Sequence, residues 1–246
     1  MPALPAPEAG MSVLTIEGVV AGYGRGDILR GIDLRLEDGS VTCLVGPNGA
    51  GKSTVLKTLS GLLRPRDGRI LLDGEDIGRL SPAQVLERGV VHVAQERSLF
   101  PLMTLWDNLL MGGHVLRDRA LVRRRAEAIA KRFALVRERR DDRAGALSGG
   151  QQKLVEIARA LMLEPRLVLL DEPTMGLDPK ARHTIFDLVR ELNEEGRTVL
   201  LVEQNARAGL AIADYGAVLD EGRVALTGPG PRLLEDPRVA KLYLGG

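Results

Sequence analysis

Residues 46–53 read Gly-Pro-Asn-Gly-Ala-Gly-Lys-Ser, a complete phosphate-binding loop of the form G-x-x-x-x-G-K-[ST]. Its flanks supply the context such a loop needs. Val41-Thr42-Cys43-Leu44-Val45 is apolar and β-branched and reads as a buried strand, and Lys52–Leu59 reads as a helix. Gly46, Gly49 and Gly51 let the backbone wrap a phosphate with its N–H groups inward, in conformations a Cβ forbids. The helix start adds partial positive charge. In that geometry Lys52 neutralises the β- and γ-phosphates and the Ser53 hydroxyl ligates Mg²⁺. The expected ligand class is a nucleoside triphosphate with Mg²⁺.

Working outward, the 246 residues suffice for one large domain or two small ones. A net charge of +1 argues against whole-molecule attraction to nucleic acid or an anionic membrane. The single cysteine, Cys43, has no internal disulfide partner and reads as a small buried hydrophobe, in keeping with a reducing compartment. No apolar run approaches the ~18 residues of a membrane span. Residues 1–10 lack the basic start and apolar stretch of a signal peptide and read as a disordered tail up to Met11, an alternative start.

Residues 13–45 read as short strands with turns at 22–26 and 37–40. Arg69–Leu72 and Val90–Ala94 are strand-like, and Ser81-Pro82 caps a short helix. From about Leu99 to Leu163 the β-signal vanishes, and Thr104–Met111, Leu116–Val136 and Gly149–Leu163 carry helical periodicity. Strand signals return at Leu167–Leu170, Thr198–Val202 and Ala217–Leu219, with a helix at Pro179–Glu194. The pattern predicts an α/β core interrupted by a helical insert.

Two further constellations carry chemistry. Leu167–Leu170 runs into Asp171 and Glu172, two carboxylates at the carboxyl end of a strand, where ligands sit in open α/β sheets. Asp171 suits Mg²⁺, and Glu172 suits orienting or deprotonating the attacking water. Leu147-Ser148-Gly149-Gly150-Gln151 opens an amphipathic helix, with Ser148 and Gln151 at capping-box spacing. Each glycine in a first helical turn costs roughly 1 kcal/mol, which a plain cap does not require. Bare amides and a serine hydroxyl there form a second anion site. One nucleotide does not need both sites in the same subunit.

These elements, with Gln95 and Gly176-Leu177-Asp178, fall in the order found in ABC-type ATPases, and the chain past the tail resembles that family. The resemblance implies a P-loop NTPase core with a mixed sheet, an N-terminal antiparallel β subdomain and an inserted helical subdomain at about 99–163, within a single domain from residue 12 to 246. It also implies two subunits packed head to tail, as homo- or heterodimer. ATP then lies between Gly46–Thr54 of one (Pro47, Asn48, Ala50 and Thr54 included) and Ser148, Gly149, Gly150 and Gln151 of the other. Gln95 is similar to the glutamine that contacts Mg²⁺ and senses the partner. Tyr23 is similar to the aromatic that stacks on adenine, and Asp178 to the aspartate that communicates across the dimer. Where most members place a γ-phosphate histidine, this chain has Gln204, which donates a hydrogen bond but does not titrate near neutrality.

Val202-Glu203-Gln204-Asn205, Gln95–Asn108 and the closing Tyr243-Leu244-Gly245-Gly246 resemble the ATP-binding subunits of branched-chain amino acid importers, the second of the two more than the first; urea and amide importers use similar subunits. Such subunits sit peripherally on the cytoplasmic face of the inner membrane, against two transmembrane permeases, with an extracytoplasmic solute-binding protein acting indirectly. Residues 99–103, Leu-Phe-Pro-Leu-Met, are unusually apolar for a loop and fall where the family receives a permease helix. Residues 117–143 hold eleven Lys/Arg against five Asp/Glu, which reads as a solvated face or a face near anionic lipid rather than a nucleic-acid site, because aromatics for base stacking are scarce. Two other readings stand beside the importer: an ABC ATPase outside transport, and a weakly hydrolysing regulatory subunit.

Overall fold

The computed structural model describes residues 12–239. The expected tail at 1–11 and the closing Tyr243–Gly246 lie outside the described residues. The chain begins with β1 (Ser12–Ala21), β2 (Leu29–Glu37) and β3 (Val41–Val45), then α1 (Lys52–Leu59), β4 (Asp67–Leu72), β5 (Glu75–Asp76), α2 (Pro82–Glu87) and β6 (Val90–Val93). A helical stretch follows: α3 (Leu105–Met111), α4 (Arg119–Arg132), α5 (Ala134–Glu138) and α6 (Gly149–Ala160). The chain then alternates through β7 (Leu167–Asp171), α7 (Pro179–Glu194), β8 (Thr198–Glu203), α8 (Ala206–Leu210), β9 (Tyr215–Asp220), β10 (Arg223–Pro229) and α9 (Gly230–Glu235).

β1, β2, β4 and β5 form an antiparallel sheet in the order β2-β1-β4-β5. The other sheet runs β10-β9-β3-β8-β7-β6, parallel except for β10. Its central strands carry long apolar runs, residues 199–202 in β8 and 167–170 in β7, because both faces are covered. Side-chain alternation divides them between two cores. Val168, Leu170, Val199 and Leu201 face the core shared with α3–α9, while Leu167, Leu169, Leu200 and Val202 face the core shared with the antiparallel sheet. α1 is wedged into that second core by Val55, Leu56 and Leu59. Val45 pairs with Glu203, and Val202 with Asp171, so the carboxyl ends of β3, β8 and β7 lie level at one edge. The mixed α/β architecture is the one anticipated.

Several local signals materialise. Ser81 caps α2 with a reciprocal Gln84 bond and Pro82 at its first position. The helix anticipated over 116–136 is two helices. Phe133 leaves helical geometry at φ −98°, ψ 95°, and its side chain is buried in the core. The sequence reading passed over α8, β10 and α9. β10 alternates half-buried with exposed residues and includes a glycine and a proline, so its apolar signal is weak.

Candidate functional site

The phosphate loop joins β3 to α1. Gly51 caps α1 at φ +109°, in the left-handed region, and no side chain caps the helix. The first amides of α1 therefore have no side-chain partner. Lys52 is 5% exposed, and its ammonium donates to Gly46 O at 2.8 Å and Pro47 O at 3.2 Å. Its Nζ stands 3.7 Å from Glu172 Oε1. A cation is thus held at the loop by two carbonyls and a carboxylate.

β7 delivers the carboxylates. Ser53 Oγ donates to Asp171 Oδ1 at 3.2 Å. Burial pushes the Asp171 carboxyl above its usual range; Glu172 adds to the push, and the Ser53 hydrogen bond opposes it. The strand ends at Asp171, and Glu172 turns out of it at φ +43°, with its N–H donating to Val202 O at 2.9 Å. Pro173 follows, and Glu172 leaves the alternation of the strand. Gln95, just past β6, donates to Glu172 Oε2 at 3.3 Å. Together Asn48, Gly49, Gly51, Lys52, Ser53, Thr54, Gln95, Glu172 and Gln204 line an open cleft of about 440 Å³. Ile28 and Met175 also line it and were not anticipated. Met175 Sδ accepts from Gln95 Nε2 at 3.0 Å, a contact set by the turn after Pro173 that no sequence pattern announces.

The other anticipated residues lie off this cleft. Tyr23 is not among the lining residues; its ring is exposed, with Lys57 Nζ 5.9 Å from its centroid. Asp178 caps α7 by accepting from Ala181 N–H at 2.9 Å. Ser148 caps α6 in a full reciprocal box: Gln151 N–H donates to Ser148 Oγ at 3.4 Å, and Ser148 N–H to Gln151 Oε1 at 3.1 Å. Gly149 and Gly150, ahead of Gln151, have no intrahelical acceptor.

The expectation that a plain cap has no use for both glycines needs correction at one of them. A Cβ on Gly150 would stand 2.6 Å from Ala181 Cβ, so packing against α7 already demands glycine there. A Cβ on Gly149 would meet nothing closer than 3.7 Å. Only Gly149 is free of an internal reason.

The chain thus carries a nearly complete triphosphate cleft and, off it, an exposed, serine-capped helix start in the order anticipated. A family model described as ABC transporter matches residues 29–175, more than half of the chain. The chain belongs to the ABC transporter family. It is an ATP-binding ABC ATPase subunit. The ATP-binding protein BraG of high-affinity branched-chain amino acid transport in Pseudomonas aeruginosa is 38% identical over 95% of this chain and 100% of its own length. The lipopolysaccharide export ATP-binding protein LptB of Haemophilus influenzae is 34% identical over 96% of this chain and 98% of its own. Among solved structures, an ABC transporter cassette in its ADP conformation superimposes with a TM-score of 0.85 at 32% identity, covering 96% of this chain and 100% of that one. A dimeric post-hydrolysis cassette bound to ADP and phosphate gives 0.77 at 28%, covering 88% and 98%. Among the described residues no helix is long and apolar enough to cross a membrane.

Proposed function

We propose that this ABC ATPase is the energy-coupling subunit of an importer for branched-chain or related amino acids. It would work as a homo- or heterodimer on the cytoplasmic face of the inner membrane, against two permeases fed by a solute-binding protein. One observation carries the ATPase half of this reading: Lys52, Ser53, Glu172, Gln95 and Gln204 converge on one cleft, with Asp171 behind it on Ser53, while Ser148–Gln151 stands outside it. Two half-sites in one chain call for a neighbour. ATP would lie between Gly46–Thr54 of one copy and Ser148–Gln151 of the next. Glu172 would orient the attacking water, Gln204 would donate to the γ-phosphate, Tyr23 would stack on adenine, and Asp178 would face the partner.

The residues present fit Mg²⁺. The Ser53 hydroxyl, the Asp171 carboxylate and the Gln95 amide offer hard oxygen donors at the cleft, the set this cation prefers. When bound, Mg²⁺ neutralises charge on the β- and γ-phosphates. It would also bring the Asp171 pKa back down.

The amino-acid half rests on the likeness to BraG. The comparable likeness to LptB supports a second reading, a cassette serving another solute or an exporter. Residues 99–163 would form an inserted helical subdomain, presenting Phe100 and Leu102, both exposed, to the permeases. Glu172→Gln with Mg-ATP should shift the protein from monomer to dimer in size-exclusion light scattering; a persistent monomer would refute the shared site. Leucine-stimulated ATPase of the complex purified from its native membrane tests the solute. Stimulation only by another solute, or none, would favour the second reading.

A further inference from the structure

Glu203 ends β8, immediately before Gln204, and the roles above leave it unused. It is 2% exposed. Its Oε1 accepts twice from one residue, from Thr174 Oγ1 at 2.8 Å and from the Thr174 N–H at 3.3 Å. Among the described residues it has no ion-pair partner, and burial pushes its pKa up. A buried carboxylate with no cation in direct contact is costly even where, as here, the more distant Arg182 partly offsets the burial.

Its place explains what it does. Thr174 is the hub of the turn after β7: the Met175 N–H bonds Glu172 O at 3.1 Å, and the Leu177 N–H bonds Thr174 O at 3.2 Å. That turn holds Glu172 at φ +43°, a sparsely populated conformation that persists only where the surroundings over-determine it. It also carries Met175, whose sulfur accepts from Gln95. The fastening at Thr174 thus lies under both cleft residues that touch one another, Glu172 and Gln95.

We propose that Glu203 is a positioning residue for Glu172: through Thr174 it fixes the turn that aims the Glu172 carboxylate into the cleft, and locks that turn to the strand end bearing Gln204. This rests on the reading of Glu172 as the water-orienting group.

Steady-state ATPase of the full chain, with thermal unfolding as the folding control, tests it. Glu203→Ala and Thr174→Val should each lower kcat by ~10-fold or more, since misplacing a reacting group by about 1 Å costs up to ~100-fold. KM for ATP should move less than ~2-fold, because the phosphate loop is untouched. Glu203→Gln keeps an acceptor oxygen and Thr174→Ser keeps the hydroxyl, so both should recover kcat to within ~3-fold of the parent. The Glu203→Ala/Thr174→Val double variant should be no worse than the worse single one. A KM effect with kcat intact, additive losses, or a Thr174→Ser no better than Thr174→Val would overturn the proposal. If Glu203→Ala does not fold, the Thr174 pair decides alone. Glu172→Gln hydrolysing at the parent rate would overturn the Glu172 reading itself. An inactive Glu172→Gln beside a fully active Glu203→Ala would overturn only this inference.

Discussion

At the start of α1 the chain leaves its amides without a side-chain cap; at the start of α6 it closes one of them with Ser148 and Gln151. The first helix is buried between two sheets, its cap is a left-handed glycine, and a buried lysine folds over its loop. The second opens on an exposed serine, with one glycine pressed against α7 and the other unopposed. Both starts have the glycines and the dipole to hold an anion. What separates them is company. Around α1 the same chain supplies carboxylates, amides and a buried lysine, whereas the company at the α6 tip is two arginines, Arg139 donating to Gln151 Oε1 at 3.5 Å and Arg97 with its guanidinium 3.7 Å from where a Cβ on Gly149 would stand. A cleft that is nearly complete in one copy and a tip that is far from complete are what the proposed site, divided between two copies, would look like in either copy alone.

The largest expected effect lies at α1. Lys52→Ala removes the only cation within the loop's own bonds and leaves Glu172, 8% exposed, without its ion-pair partner. ATPase kcat/KM should fall at least ~100-fold, the scale of losing one preorganised charge-stabilising donor, and binding of a fluorescent ATP analogue should weaken in parallel. A Lys52→Ala variant that hydrolyses ATP normally would abolish the distinction between the two starts, because α1 would then have no more equipment than α6.

The glycine pair of α6 gives a sharper contrast. Gly149→Ala has room for its methyl within the chain, and alanine favours the helix, so stability should be unchanged or rise by up to ~1 kcal/mol. If the tip clasps a phosphate of the neighbour's nucleotide, the same methyl obstructs a close approach, and kcat at saturating ATP should drop by ~10-fold. Gly150→Ala should behave in the opposite way. Its methyl would overlap Ala181, costing ~1–3 kcal/mol of stability seen in denaturant unfolding, with loss of activity following loss of fold. If the two variants are indistinguishable, Gly149 has no external reason and α6 is only a capped helix.

That contrast shows where sequence is legible and where it is not. The α1 loop was readable because its logic is local: glycines, lysine and serine act on atoms within a few residues. The strands were readable because burial on both faces leaves an uninterrupted apolar run, as in Leu167–Leu170. Ser148 and Gln151 were readable as a cap for the same local reason. What was not readable depends on distant neighbours. Gly150 answers to Ala181, Met175 to Gln95, and Glu203 to Thr174, pairs joined only by the fold. β10 was missed because an edge strand with one half-buried face carries little hydrophobic alternation. The break at Phe133 is tertiary too, since a buried ring rather than a proline or glycine ends α4.

The smallest expected effect on stability is the most discriminating on function. Ser148→Ala loses the cap, about 1 kcal/mol, and any drop in activity then has two explanations. Ser148→Asp does not have this ambiguity. Aspartate caps helices as well as serine, and its charge suits the positive end of the helix, so unfolding should shift by no more than a few tenths of a kcal/mol, in the stabilising direction. If α6 only needs capping, ATPase activity and ATP-driven dimerisation should survive unchanged. If its tip faces the neighbour's triphosphate, a carboxylate at that point repels the γ-phosphate, and both should fall by ~10-fold or more while the monomer keeps its fold and its nucleotide affinity. A Ser148→Asp protein that is stable, nucleotide-bound and still dimerising would place the second half of the site somewhere other than α6.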